Sequence, residues 1–149
     1  GGTMSIAFWC VLVASVLPLL AAYPAKADPE LDNRDPRARH AVQTGFRRRA
    51  YAAHQNSWEA FMVFAVAVIA AEMNGGSQQA VNSLAIVFIV VRIAYIAAYL
   101  KGVGFIRSGL WTAGWILSIA IFTPPVRGIT RARPLLYTSR PSTPGRPSR

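Results

Sequence analysis

Asn56 and Glu59 are the two residues of this chain whose types and spacing point most directly to chemistry. They are three positions apart in a segment, 50–73, whose composition predicts a helix, so both side chains lie on one face. An uncharged run of eleven residues, 61–71, follows them. A carboxylate beside such a run is costly to keep in lipid unless it has a partner or a polar ligand. Glu59 is therefore a candidate functional residue, with Asn56 in the same site.

A second polar group follows one face of the next predicted helix, where Arg92, Tyr95 and Tyr99 occupy positions i, i+3 and i+7. Arg107 begins the helix after that, and Arg49 is the last of three arginines that precede Asn56. Guanidinium groups bind carboxylates in a bidentate manner, and an arginine beside a thiol stabilises its thiolate. Because a glutamate can also hold an ammonium group, the set fits a small anionic ligand that carries carboxylates and an amine.

These residues also have structural explanations, which the sequence leaves open. Arg47, Arg48 and Arg49 could set the orientation of the chain in the membrane or contact lipid headgroups, and Tyr95 and Tyr99 could belong to an aromatic belt at the membrane interface. Arg92 and Glu59 could form an ion pair between helices, and Asn56 could form a hydrogen bond between helices. Arg107 could extend its side chain to the membrane interface. The co-location of these residues, rather than any single one of them, favours a site.

The composition places these residues in a membrane protein. Hydrophobic residues make up 53% of the 149, charged residues only 15%, and the mean hydropathy is +0.32. Such values, with long apolar runs, are typical of membrane-spanning helices. The apolar segments are 5–23, 50–73, 78–100 and 105–122. They predict an all-α fold, a bundle of four transmembrane helices.

The remaining segments set the predicted domain boundaries. Residues 1–3 precede a methionine and are expected to be non-native or upstream residues, and residues 4–125 form the membrane domain. The segment 126–149 is rich in Arg, Pro and Ser and is predicted to be a disordered tail. A signal peptide is the alternative for the first apolar segment. No lysine or arginine precedes that segment, which favours a retained span.

The charges predict the topology, with one conflict. Seven basic residues lie in the connection 26–49, whose prolines predict irregular structure at its start, and none lies in the second connection. Lys101 and Arg107 flank the third. The positive-inside rule therefore places the first and third connections in the cytoplasm. The net charge of +10 includes six arginines after Phe122, on the side that this topology places outside.

Several other classes of function lack support in the sequence. The single Cys10 cannot form an internal disulfide or a redox pair, and the two histidines, His40 and His54, form no metal-ligand cluster, so no metal is predicted. Small four-helix transporters carry an essential carboxylate in the first helix, where this chain has none. No nucleic acid is expected as a partner, since only the basic tail favours one.

The chain resembles the superfamily of membrane-associated proteins in eicosanoid and glutathione metabolism (MAPEG), and within it the bacterial branch. The resemblance covers about 5–122 and is carried by Asp32-Asn33-Arg34-Asp35-Pro36-Arg37-Ala38, Ala53-His54-Gln55-Asn56, Glu59, Arg92, Tyr95, Tyr99 and Arg107-Ser108.

The resemblance implies a homotrimer of four-helix protomers in the bacterial inner membrane. Glutathione would be the co-substrate, bound between subunits near the cytoplasmic face, without a metal. Arg107 would stabilise its thiolate, which attacks a lipophilic electrophile or hydroperoxide that arrives through the lipid. The residues implied in glutathione binding or helix contact are Asn56, Glu59, Arg92, Tyr95 and Tyr99.

One position departs from the family pattern. Many glutathione-using relatives have an arginine where this chain has Ala52, four residues before Asn56. Arg49 is about one helical turn from Ala52, so we include it among the expected glutathione-binding residues. The alternative function is a non-enzymatic membrane protein whose polar layer is structural or binds lipid.

Overall fold

The computed structural model describes residues 3–123, which form five α-helices and no strand. Four of the helices are long and apolar enough to cross a membrane. The chain is an integral, multi-pass membrane protein, and the predicted all-α fold with four spans is confirmed. The predicted tail, 126–149, lies outside the described residues. The helices are α1 Ile6–Lys26, α2 Pro36–Val42, α3 Gly45–Met73, α4 Gln78–Lys101 and α5 Gly104–Phe122.

The four long helices share one core, whose largest members are aromatic. Phe64 of α3 stacks on Phe88 of α4, with ring centroids 4.0 Å apart and planes only 2° from parallel. Small buried residues such as Ala7 and Ala14 let α1 approach these rings closely. Close packing of this kind is the main source of helix association in lipid, where apolar surfaces gain little from contact alone. The core therefore fixes α3 against α4, the two helices that carry most of the candidate site.

The connection between the first two spans contains a short helix, which was not predicted from the sequence. Pro36 occupies the first helical position of α2, where its fixed φ is favourable and its missing N–H costs nothing. The side chain of Asp35 caps this helix by accepting a hydrogen bond from the Ala38 N–H at 3.2 Å. Pro36 therefore starts regular structure, whereas residues 27–35, at the start of the connection, form no helix. α3 also begins five residues before the predicted boundary at Ala50.

At one end of the bundle, Glu72 anchors three helices without a cationic partner in the described residues. Its Oε1 accepts hydrogen bonds from the Ser5 hydroxyl at 2.6 Å and from the Gln78 amide at 3.0 Å. The same Gln78 amide donates to Asn82, which also accepts from the Ala7 N–H. These contacts join the start of α1, the end of α3 and the start of α4.

At the other end, the buried carboxylate of Asp28 holds the α1–α3 connection together. It accepts hydrogen bonds from Arg39 Nε and from Gln43 Nε2, each at 2.9 Å, and Arg47 lies 3.5 Å away. Gln43 also donates to the Ala25 carbonyl, which ties α2 to the end of α1. The hydrogen bonds from Arg39 and Gln43 hold the pKa of Asp28 well below its usual range. The folded chain therefore favours the ionised carboxylate.

Replacement of Asp28 by asparagine should lower the thermal stability in detergent at pH 7. The stability that the carboxylate contributes is complete above the ordinary aspartate pKa of about 3.9 and is lost as pH falls toward the lowered folded-state pKa. The difference in melting temperature between wild type and Asp28→Asn should therefore shrink below about pH 4. Asp32→Asn is the control, because Asp32 is exposed. A difference that grows on acidification would contradict this account.

Candidate functional site

Arg92 is the centre of the candidate site and is only 3% exposed. Its Nη2 donates hydrogen bonds to Asn56 Oδ1 at 3.1 Å and to the Ser57 hydroxyl at 3.3 Å, both on α3. Its guanidinium also lies 4.1 Å from the centroid of the Tyr95 ring. No carboxylate within residues 3–123 lies in ion-pair distance of Arg92. A buried cation is thus held by neutral groups alone, an arrangement that favours an added anion.

The predicted face of α4 continues from Arg92 as a stack of two rings, which a second cation closes from α5. Tyr95 packs edge-on against Tyr99, with centroids 5.6 Å apart. The Arg107 guanidinium, on α5, lies 4.8 Å from the centroid of the Tyr99 ring. Both guanidiniums lie at distances typical of cation–π contacts. The structure therefore brings Arg92, Tyr95, Tyr99 and Arg107 together.

Glu59 completes the wall of a cleft beside Arg92. Its Oε2 lies 3.4 Å from Asn56 Nδ2, at the long end of hydrogen-bond distance, and the side chain is exposed on α3. The cleft, about 70 Å³ in volume, lies between α3, α4 and α5. Its lining includes Asn56, Glu59, Arg92, Trp111, Gly114 and Ser118.

A second cleft, about 490 Å³ in volume, follows the stack toward the start of α5. Trp111 lines both clefts, which makes them neighbours. The second is lined by Tyr95, Tyr99, Arg107, Ser108, Trp111 and Thr112. Together the two clefts present two cations, one carboxylate, one amide and two phenols along one face of the helix bundle. Such a set is able to hold a small zwitterionic or anionic ligand.

Arg49 lies apart from the other predicted residues. Its Nε donates a hydrogen bond to the Leu100 carbonyl at 3.0 Å, at the end of α4. Its side chain also lies beside Gly102, whose positive φ of 77° ends that helix. Neither cleft includes Arg49 in its lining. The contact joins the start of α3 to the α4–α5 turn.

Three residues of the site were not predicted as such. Ser57 is a buried partner of Arg92, Gly114 lies beside Arg92 on α5, and Trp111 lines both clefts. A serine or glycine in an apolar helix carries no chemical signal by itself. A tryptophan in an apolar segment is explained equally well as an anchor at the membrane interface. The spacing of Gly114 and Ser118 is the one available clue, since small residues four apart often mark a close helix contact in membranes.

These observations define an integral membrane protein with a polar site between its helices. The model of the MAPEG family matches residues 6–124. The chain therefore belongs to the MAPEG family, as the resemblance predicted. Neither the curated proteins nor the solved structures include a match to this chain.

The contact between Arg92 and Asn56 should appear as a coupling energy. We expect Arg92→Met and Asn56→Ala each to lower the free energy of unfolding in detergent, and the double variant to lose about 1–3 kcal/mol less than the sum. The reason is that either change already removes the interhelical hydrogen bond. Glu72→Gln paired with Arg92→Met is the control, because Glu72 lies at the far end of α3. Additive losses in the first pair would contradict the geometry.

Proposed function

We propose that this protein is a glutathione-dependent transferase or peroxidase that acts on lipophilic electrophiles or hydroperoxides. The observation that carries the proposal is the buried Arg92, held by neutral partners on the wall of a cleft that also presents the Glu59 carboxylate. Membership of the MAPEG family supports glutathione as the co-substrate.

The charges of the clefts match the ionic groups of glutathione. Glutathione carries two carboxylates, one ammonium group and one thiol. Glu59 is exposed to the cleft and is suited to the ammonium group, while Arg92 is suited to a carboxylate. Arg107 lines the neighbouring cleft, where its charge would stabilise the thiolate. Arg49 would contact glutathione only through its two Nη atoms, since its Nε donates a hydrogen bond to the Leu100 carbonyl.

The chemistry follows from the thiolate. In a transfer, the thiol loses its proton to water, the sulfur forms a bond to an electrophilic carbon, and the leaving atom takes up a proton. In peroxide reduction, two glutathione molecules supply the two electrons, and the products are the disulfide, an alcohol and water. In both reactions Arg107 lowers the pKa of the first thiol, so that the nucleophile is present near neutral pH.

The exposed carboxylate also supports the proposed homotrimer. Glu59 lies in the middle of α3, a helix long and apolar enough to span the membrane, yet its side chain is exposed on the protomer. Contact with lipid at that position would be costly. A neighbouring subunit would cover the face and enclose the ligand between protomers. We place the basic end on the cytoplasmic side of a bacterial inner membrane, where glutathione is available.

A structural role for the polar layer is the second candidate. The observation that favours it is that Asn56 and Ser57 together already hold Arg92, so the layer joins α3 to α4 without a ligand. The two candidates differ in whether glutathione binds.

Glutathione should bind the detergent-purified protein at millimolar concentration or below, measured by calorimetry. Thiolate absorbance should appear near pH 7 and should be lost in Arg107→Ala. For the enzyme with a model electrophile, removal of this charge should lower kcat by about 10²–10³-fold. Arg34→Ala is a matched control, because Arg34 is exposed on the loop before α2. A protein that assembles normally but binds no glutathione would support the structural role instead.

A pair of glycines in α5 offers a steric test of the cleft. A Cβ at Gly114 would lie 3.8 Å from Arg92 Cδ, so the remainder of a leucine side chain would fill the cleft. A Cβ at Gly109 would have nothing within 4 Å. We expect Gly114→Leu to weaken glutathione binding by about tenfold or more, while Gly109→Leu binds like wild type. Equal binding in both variants would place the ligand elsewhere.

A further inference from the structure

The distribution of charge between the two ends of the bundle is strongly uneven. The helices alternate in direction, so the end of α1, the start of α3, the end of α4 and the start of α5 meet at one end, as the Gln43–Ala25 and Arg49–Leu100 contacts show. This basic end holds nine lysines and arginines of the described chain: Lys26, Arg34, Arg37, Arg39, Arg47, Arg48, Arg49, Lys101 and Arg107. The opposite end of the described chain has none.

The four carboxylates of the basic end are already occupied by the protein itself. Asp28 and Glu30 bind Arg39, whose Nη2 lies 2.6 Å from Glu30. Asp35 caps α2, and Asp32 accepts a hydrogen bond from the Arg34 N–H at 2.8 Å. Four carboxylates against nine cations leave this end of the bundle with an excess of five positive charges.

Five cations of this end are exposed and form no ion pair within residues 3–123. They are Lys26, Arg34, Arg37, Arg48 and Lys101, which we call the cationic collar. The Arg39 and Arg47 side chains are bound to Asp28, Arg49 is bound to Leu100, and Arg107 lies in the cleft. The collar is thus free of the contacts that hold the fold and the candidate site.

Exposed aromatic side chains accompany the collar. Tyr23 is 73% exposed and lies one turn before Lys26 on α1, while Phe105 is 93% exposed and follows Lys101 across the α4–α5 turn. Phe46, which is also exposed, precedes Arg48 by two residues. Aromatic rings favour the boundary between lipid tails and headgroups, and cations just beyond them meet the phosphates.

We propose that the cationic collar binds the phosphates of anionic phospholipids in the adjoining leaflet, in preference to zwitterionic lipids. A zwitterionic headgroup brings its own cation to the surface, whereas an anionic one leaves its phosphate charge for the collar. The rings beside Lys26, Arg48 and Lys101 place these cations at headgroup depth.

The test is competition between two lipids for the full-length protein, read by native mass spectrometry. The protein is held in mixed micelles of phosphatidylglycerol and phosphatidylcholine with identical acyl chains, and the retained lipids are counted. We expect phosphatidylglycerol to be enriched by about fivefold for each cation engaged, and the enrichment to fall as salt is raised. Equal retention of the two lipids at low salt would overturn the proposal.

Two charge-neutralised variants locate the effect. The collar variant carries Lys26→Gln, Arg34→Gln, Arg37→Gln, Arg48→Gln and Lys101→Gln, and the matched control carries the same loss of charge at Arg127, Arg131, Arg133, Arg140 and Arg146. The collar variant should lose the enrichment while retaining helix content by circular dichroism, and the control should keep it. Equal loss in both would show that net charge alone is responsible and would overturn the proposal.

A competition experiment with inorganic phosphate distinguishes binding of a lipid headgroup from binding of free phosphate. Inorganic phosphate, added at the concentration of the phosphatidylglycerol, should displace no more of this lipid than its ionic strength explains. Free phosphate lacks the acyl chains that hold a lipid headgroup beside the rings. Displacement beyond a sodium chloride control would contradict the lipid as occupant. If the collar variant fails to fold, the salt and phosphate arms on the wild type still decide the question.

Discussion

The burial of a guanidinium inside a bundle of membrane-spanning helices is the constraint on which the rest of this structure depends. Arg92 is nearly inaccessible and has an amide oxygen, a hydroxyl and an aromatic face as its partners. A charge in such a place is costly unless polar groups surround it. The positions of Asn56 and Ser57 on α3 and of the Tyr95 ring on α4 supply the hydrogen bonds and the cation–π contact that this buried charge requires.

The fold was largely predictable because its signal is carried by long runs of one residue type. Four apolar segments predicted four spans, and the observed helices match them within a few residues except at the start of α3. The short helix α2 was missed, because its two signals, Asp35 as a cap and Pro36 at the first position, were outweighed by the general tendency of proline to disrupt helices.

The candidate site was predictable along each helix but not between helices. Helical spacing placed Arg92, Tyr95 and Tyr99 on one face, and the structure joins them in one stack. The partners across the interface, such as Ser57, depend on how α3 is rotated against α4, which the stacked Phe64 and Phe88 determine. Arg49 illustrates the same difficulty. Its position along α3 suggested a place in the site, but its hydrogen bond to Leu100 depends on the packing of α3 against the end of α4, which the sequence does not give.

The central claim is that Glu59 holds the ammonium group of glutathione in the cleft beside Arg92. The most direct test measures the affinities of glutathione and N-acetylglutathione for wild type and for Glu59→Gln. We expect acetylation to weaken binding to wild type by about tenfold or more and to have little effect on Glu59→Gln, because both changes remove the same ion pair. Losses that simply add, or equal binding in all four combinations, would contradict the account.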